Sequence, residues 1–467
     1  MVLVKVEICE GFHLDCSYLY GASWNVKKED LEAAENKITR AADAVEQIRK
    51  CGMGPRAGET VRFPKLPYIL DERVLITDRE IQAMDALEAR CLRDVDAVVS
   101  VGIGGSYLGN QTLFDVCCGP YWNMESREER GGWPKCFFAG HTADPEALSG
   151  LLGQLRREAV KKAGVYTVAV LVISKSGTTV EPSGALSVLE KELPAFCRPI
   201  WAAVTDPQKG LLLERCKEEG WLHFSVPEGI GGRFSVFSQV GLVFAAMLGI
   251  NRKAFLLGAR RVEESSRHRE WQKNPALMLA AMKHIATNEY GMTAEVTMPY
   301  CERLRSLSWW YAQLLGESLG KKETVEGKCI YSGRIPVSAV GTTDMHSLTQ
   351  EQQEGKRNKL IQFIAVEQPE TDLDFELDEK GKRCTVPMSH VTKAALSANA
   401  EALASEKRMS CSLSIRRLDP FYLGALMYFF FLTISYEGAM AGIDAYDQPG
   451  VETYKKLLHR DLASFAE

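Results

Sequence analysis

At 467 residues the chain has room for two or three domains of about 150 residues each. Its 46% hydrophobic and 25% charged residues are the balance of a globular protein. A net charge of −5 at neutral pH excludes a broadly basic nucleic-acid binder, while leaving room for a local cationic pocket. The 13 cysteines are irregularly spaced without a C-x-x-C, and none of the 8 histidines lies near a pair of them at zinc spacing. They are expected as reduced, mostly buried thiols of a cytosolic protein, with no metal among their partners.

Residues 1–7 lack the long apolar core and small-residue cleavage site of a leader, so none is expected. Residues 28–50, rich in Glu, Ala, Lys and Arg with apolar positions at helical spacing, predict one amphipathic surface helix in an N-terminal arm. Apolar runs at 95–101, 136–139, 165–173 and 200–204 predict strands buried on both faces, with Arg127-Glu128-Glu129-Arg130-Gly131-Gly132 as a polar connection. A helix over 235–248 leads to Glu263-Glu264-Ser265-Ser266-Arg267, which reads as a solvated boundary near residues 250–270. Beyond it the pattern predicts a helix over 303–320, an apolar run at 360–366, an Ala-rich helix over 391–403 and a strand at 409–415. The uncharged stretch 421–436 falls short of the ~20 residues a membrane span needs, and reads as a buried helix. The whole is α/β, two similar layers with parallel sheets covered by helices.

Two glycine- and hydroxyl-rich turns stand where strands meet helices. Gly102-Ile103-Gly104-Gly105-Ser106-Tyr107-Leu108-Gly109 would offer bare backbone N–H groups to an anion. It is neither a dinucleotide fingerprint, since Tyr107 stands where glycine is required, nor a Walker loop, which occurs nowhere in the chain. Ser174-Lys175-Ser176-Gly177-Thr178-Thr179-Val180-Glu181 packs four hydroxyls into six residues, where a helix cap needs one. With no nucleotide motif, that nest suits a small phosphorylated metabolite.

Four further positions carry acid–base character. Arg233, after Gly231-Gly232, would bring a fixed planar cation to a developing oxyanion; an ordinary ion pair at a helix start reads equally well. On the helix over 303–320, Leu304, Leu307, Tyr311, Leu314 and Leu315 form one apolar stripe, and Glu317 lies off its edge above Trp310. A carboxylate partly desolvated beside an indole makes a useful general base, although a glutamate near a helix end is more often a surface residue. His346 opens a polar helix, where the positive helix end favours the neutral imidazole that shuttles protons. Asp447-Gln448-Pro449-Gly450-Val451 begins a C-terminal helix with proline at its first turn, and Lys455 flanks its apolar face.

Taken together, residues 102–109, the loop 174–181, Gly231-Gly232-Arg233-Phe234-Ser235 and Tyr446-Asp447-Gln448-Pro449-Gly450-Val451-Glu452-Thr453-Tyr454-Lys455 resemble, in the same chain order, the glucose-6-phosphate isomerase family in its shorter bacterial form. The resemblance covers about residues 95–460. It implies two flavodoxin-like sugar-isomerase (SIS) domains, at 66–255 and 256–445, after an N-terminal helical arm of 1–65 and before a C-terminal helix at 446–467. It implies a cytoplasmic glycolytic and gluconeogenic enzyme, usually a homodimer, that interconverts glucose 6-phosphate and fructose 6-phosphate through a cis-enediolate with no cofactor or metal, and without nucleic-acid or membrane partners. By the same resemblance, Gly105, Ser106, Ser174, Ser176 and Thr179 would hold the phosphate, and Arg233 would steady the enediolate. Glu317 would move the proton between C1 and C2, while His346 and Lys455 would assist ring opening, His346 across a dimer interface if it is donated there. The segment between Glu317 and His346 looks longer than in the short form, with Lys321-Lys322-Glu323-Thr324 inserted. The competing reading is a regulatory sugar-phosphate-binding module without chemistry; binding alone needs no acid–base set, which weighs against it.

Overall fold

The computed structural model describes residues 4–464, so the first three positions of the segment read for a leader lie outside the described residues. Its strands, in chain order, are β1 (Lys5–Cys9), β2 (Phe12–Asp15), β3 (Ala97–Val101), β4 (Lys135–Ala139), β5 (Thr167–Ile173), β6 (Arg198–Thr205), β7 (Leu222–Ser225), β8 (Ala294–Pro299), β9 (Ile335–Ser338), β10 (Lys359–Val366), β11 (Asp374–Glu379), β12 (Lys382–Pro387) and β13 (Met409–Ile415).

The first sheet runs β4-β3-β5-β6-β7 and is parallel throughout. β3 and β5 are buried at every position, as their valine-rich runs require of strands covered on both faces. Both start two residues later than their apolar runs, because Asp96 intervenes: its carboxylate accepts from the Thr167 amide at 2.7 Å and pairs with Lys162. From β3 the chain goes to β4 on one side, and β5 lies on the other. The turns after β3 and β5 therefore flank the point where strand order reverses, where an open parallel sheet leaves a crevice beyond its carboxyl ends.

The second sheet runs β1-β2-β13-β10-β8-β9. β8, β9, β10 and β13 are parallel, while β2 pairs antiparallel with β13, Leu14 opposite Leu413. The segment expected as a helical arm thus begins with a hairpin that extends this sheet. The single helix read over 28–50 is two, Lys28–Ala33 and Glu35–Cys51, which meet at Ala34. β11 and β12 form a separate two-stranded hairpin that the charged sequence at 374–387 did not announce.

The helix Pro420–Ala441 runs through the core. It is long and apolar enough to cross a membrane, but 94% of its most apolar window is buried within the fold, as expected of a core helix. Phe429, Phe430 and Phe431 are fully buried, and Phe431 packs at ring-centroid distances of 4.7 Å on Phe234 and 5.6 Å on Trp310.

This helix crosses the helix Arg252–Ser265 at two glycines. A β-carbon on Gly258 would stand 1.8 Å from the Phe421 carbonyl oxygen, and one on Gly424 would stand 1.9 Å from that of Phe255. That crossing corrects the reading of residues 263–267 as solvated. Glu263 and Ser266 are fully buried, and Glu263 takes Arg49 Nε at 2.8 Å and the Tyr428 hydroxyl at 2.9 Å.

Candidate active site

The turn after β3 folds as a short 3-10 segment, Gly104–Ser106, leading into the helix Leu108–Cys117. Gly104 has a φ of +56°, and Gly105 permits a contact no side chain would allow: its β-carbon would lie 2.1 Å from the Gly232 carbonyl. The Ser106 turn and the Arg233 turn are therefore pressed backbone to backbone. Ser235 fastens the second of them by donating to the Gly232 carbonyl at 2.6 Å.

The turn after β5 uses its hydroxyls unevenly. Ser174 Oγ accepts from the Gly177 amide at 3.0 Å and shapes the loop, while Ser176 and Thr178 share a hydrogen bond of 2.8 Å at the surface. Thr179 stands at the N-cap of the helix Val180–Glu192, and its side chain makes no capping bond. Amides at a helix start together with exposed hydroxyls are groups that could receive an anion.

Arg233 is the centre of the site. Its side chain is 1% exposed, and all five donors are used. Nε donates to Ser318 Oγ at 2.7 Å; Nη1 donates to Gln448 Oε1 at 2.8 Å and to Glu317 Oε2 at 3.3 Å; Nη2 donates to the carbonyls of Ala445 at 2.6 Å and Asp447 at 2.9 Å. Burial pulls the guanidinium below its ordinary pKa, and Glu317 and Asp447 pull it back.

Glu317 lies on the helix Arg305–Leu319 with a side chain 30% exposed. The predicted apolar stripe of that helix is buried throughout. Gln313, one turn earlier, donates to Glu317 Oε1 at 2.9 Å. Its amide nitrogen also lies 3.0 Å from the β-carbon position of Gly104, so Gln313 bridges the carboxylate to the phosphate-type turn. Its own Oε1 is buried without a partner.

Gln313, Ser318 and Gln448 were not singled out from the sequence. The spacing of four between Gln313 and Glu317 was a usable signal. For Ser318 there was none, because its partner lies 85 residues away; Gln448 stood inside the Tyr446–Lys455 stretch without a role of its own, its partner lying 215 residues away.

The segment read as an insertion also belongs here. Lys321 is buried and pairs with Asp447 Oδ1 at 2.8 Å, tying the end of Glu317's helix to the turn that carries Gln448.

Two predicted residues stand apart. His346 is in the first turn of the helix Met345–Glu354, held by Asp344, whose carboxylate accepts from the Val340 amide at 2.7 Å. It is exposed and not within ion-pairing distance of Glu317. The helix Val451–Ala463 buries no residue, so the expectation that Lys455 flanks a buried face fails; Lys455 pairs with Glu452 at 2.9 Å. A cleft of ≈ 580 Å³ joins Lys175 of the hydroxyl loop to Gly231, Gln448 and Glu452. Among the described residues, no three His, Cys, Asp or Glu side chains cluster as metal ligands.

Parallel sheets, anion-binding turns at the strand-order reversal, and a carboxylate paired with a buried arginine define a class: α/β enzymes that handle small phosphorylated substrates by acid–base chemistry. The family model described as phosphoglucose isomerase matches residues 80–466, and the chain belongs to that family. The glucose-6-phosphate isomerase of Carboxydothermus hydrogenoformans is 33% identical over 468 residues, covering 98% of this chain and 94% of the relative. That of Symbiobacterium thermophilum is 33% identical over 417 residues, 87% of each chain.

Among solved structures, a Thermus thermophilus protein described as hypothetical superposes with a TM-score of 0.78 at 27% identity, over 97% of this chain and 100% of that one. The glucose-6-phosphate isomerase of Chlamydia trachomatis shares the fold, with a TM-score of 0.81 at 22% identity over 99% of this chain and 90% of that one. The activity is that of the family, aldose–ketose isomerisation of a sugar phosphate.

Proposed function

We propose that the chain interconverts glucose 6-phosphate and fructose 6-phosphate, with Glu317 as the proton carrier and Arg233 as the cation that meets the enediolate. The phosphate sits on the turns of Gly105, Ser106, Ser174, Ser176 and Thr179. Starting from the aldose, Glu317 takes the C2 proton, and the electron pair of that bond forms the C1=C2 double bond. The negative charge arrives on O1. The proton then returns to C1, O2 becomes the ketone oxygen and gives up its proton, and O1 is protonated.

The observation that carries this reading is the Arg233–Glu317 pair. A fully ligated guanidinium gives one of its weakest contacts, 3.3 Å, to the group that must act as base. Exchanging that contact for the substrate oxygen frees the carboxylate and stabilises the charge in one movement. Gln313, with a buried orphan acceptor, is placed to take a substrate hydroxyl.

His346 faces solvent on its own chain, so in this reading it serves the site of a second copy in a cytoplasmic homodimer, where it and Lys455 assist ring opening. With the domain division at 66–255 and 256–445, the phosphate turns belong to the first body and Glu317 to the second. The test is a coupled assay on purified protein with chelator present, supplying fructose 6-phosphate and detecting glucose 6-phosphate. Turnover is expected. Well-folded protein that binds fructose 6-phosphate without converting it would favour a regulatory binding module.

A further inference from the structure

Arg233 bonds the helix Arg305–Leu319 through Glu317 and Ser318, and bonds the turn after the core helix through Ala445, Asp447 and Gln448. One further side chain joins that helix end to that turn without passing through Arg233. Lys321 lies four residues after Glu317, just past the end of the helix. Its Nζ donates to Asp447 Oδ1 at 2.8 Å and also to the Asp447 carbonyl, the same oxygen that accepts from Arg233 Nη2 at 2.9 Å. Two buried cations thus converge on one carbonyl, and the Asp447 carboxylate supplies the negative charge that permits it.

The main chain that carries Lys321 is itself held. The Ser332 amide donates to the Lys321 carbonyl at 2.7 Å, and Ser332 Oγ donates to the carbonyls of Leu319 at 2.8 Å and Lys321 at 3.3 Å. Gly333 packs on Gly320 so closely that a β-carbon on Gly333 would stand 2.9 Å from the Gly320 α-carbon. The Lys321 side chain is 5% exposed, so water does not compete for its ammonium group. On the outer side of the contact, Arg56 Nε stands 3.5 Å from Asp447 Oδ2.

The contact matters while the site is working. When Arg233 Nη1 exchanges Glu317 for the substrate oxygen, Arg233 keeps only Ser318 on the helix. The Lys321–Asp447 contact takes no part in that exchange and still spans helix and turn. We propose that Lys321 is a positioning residue for the isomerisation: by gripping Asp447 it holds the Glu317 helix against the turn that aims Arg233 while Arg233 changes partners. The inference rests on Glu317 and Arg233 acting as proposed above.

The experiment measures kcat, KM for fructose 6-phosphate and the denaturation midpoint of the full-length wild type, Lys321→Met, Asp447→Ala and the double variant. Lys321→Met keeps an apolar stem and removes the donor. It should lower kcat ~10–100-fold, with KM within about threefold, because the phosphate turns are untouched and only the base and the cation are misplaced. Asp447→Ala weakens the same contact from its other end and should lower kcat about tenfold. The double variant should be no slower than Lys321→Met, since both substitutions act on one contact.

A lysine with a structural role alone would lower the midpoint and leave the kcat of folded protein at the wild-type value. That result overturns the proposal, as does a double variant in which the two losses multiply. If Lys321→Met fails to fold, Asp447→Ala, at a part-exposed position, decides alone, and full kcat there overturns the proposal. Glu317→Gln is measured alongside. If it stays fully active, the reading of the site itself falls and this inference with it. If it is inactive while Lys321→Met and Asp447→Ala keep wild-type kcat, only the role of Lys321 falls.

Discussion

Arg233 Nη1 donates to Glu317 Oε2 at 3.3 Å, while Gln313 donates to the other oxygen of the same carboxylate at 2.9 Å. Glu317, the proposed base, is thus oriented from two sides. Glu317→Gln keeps the side chain's shape and one of its two acceptors but removes the carboxylate that takes the proton, so kcat should fall by ~10²–10⁴. Fructose 6-phosphate affinity should stay within about threefold, since the phosphate turns are untouched. Steady-state kinetics with calorimetric binding check this; full turnover in the variant would remove Glu317 from proton transfer.

Arg49 and Glu263 make a buried ion pair between the N-terminal helix and the core, and their side chains are 7% and 0% exposed. Arg49 also reaches Tyr436 Oη and the Ser266 carbonyl, so the pair closes the boundary region onto the core helix. Glu263→Gln leaves a buried guanidinium with only the part-exposed Glu46, 3.7 Å away, as counter-charge and should destabilise the fold by ~3 kcal/mol. Chemical denaturation is the measurement. The kcat of the folded fraction should equal wild type, because neither residue touches the site.

That pair also shows where reading the chain stops. Parallel strands at 95–101 and 165–173 were legible because valine runs buried on both faces need no partner to be recognised, and the turns that follow them carry their chemistry in consecutive residues. Glu263 was misread as solvated because its neighbours Glu264 and Arg267 are polar and its partner lies 214 residues away. The same distance effect hid Ser318. It left Arg233 undecided between an ion pair and an oxyanion donor, and the structure makes it an ion-paired residue whose partner is the predicted base. The β1–β2 hairpin escaped notice because strands of five and four residues, with three buried positions between them, carry little periodic signal.

His284 offers a pH test of stability apart from catalysis. It is buried on the helix Pro275–Tyr290, with Lys37 Nζ 3.4 Å from Nε2. Burial, Lys37 and Arg334 depress its pKa to about 4 from an ordinary 6.5. The folded state therefore holds the imidazole neutral where the unfolded chain would protonate it. Stability from this residue is complete above pH 6.5 and is lost as pH falls towards 4, by up to ~3 kcal/mol. Melting temperature followed over that range should drop more steeply for wild type than for His284→Gln; parallel curves would show that this histidine does not carry the acid limb.

The exposed position of His346 yields the last prediction. If it completes the site of a second copy, then Glu317→Gln and His346→Ala are each inactive as homodimers, yet their mixed dimer contains one intact site, with Glu317 from one chain and His346 from the other. Unfolding and refolding an equal mixture makes half the dimers mixed, so activity should rise to about a quarter of wild type per total protein. If His346 served its own chain, every site in the mixture would lack one group and refolding would restore nothing. Sedimentation of the refolded mixture, run beside the assay, establishes that dimers formed. Dimers without recovered activity would place the ring-opening histidine in the same chain as the base.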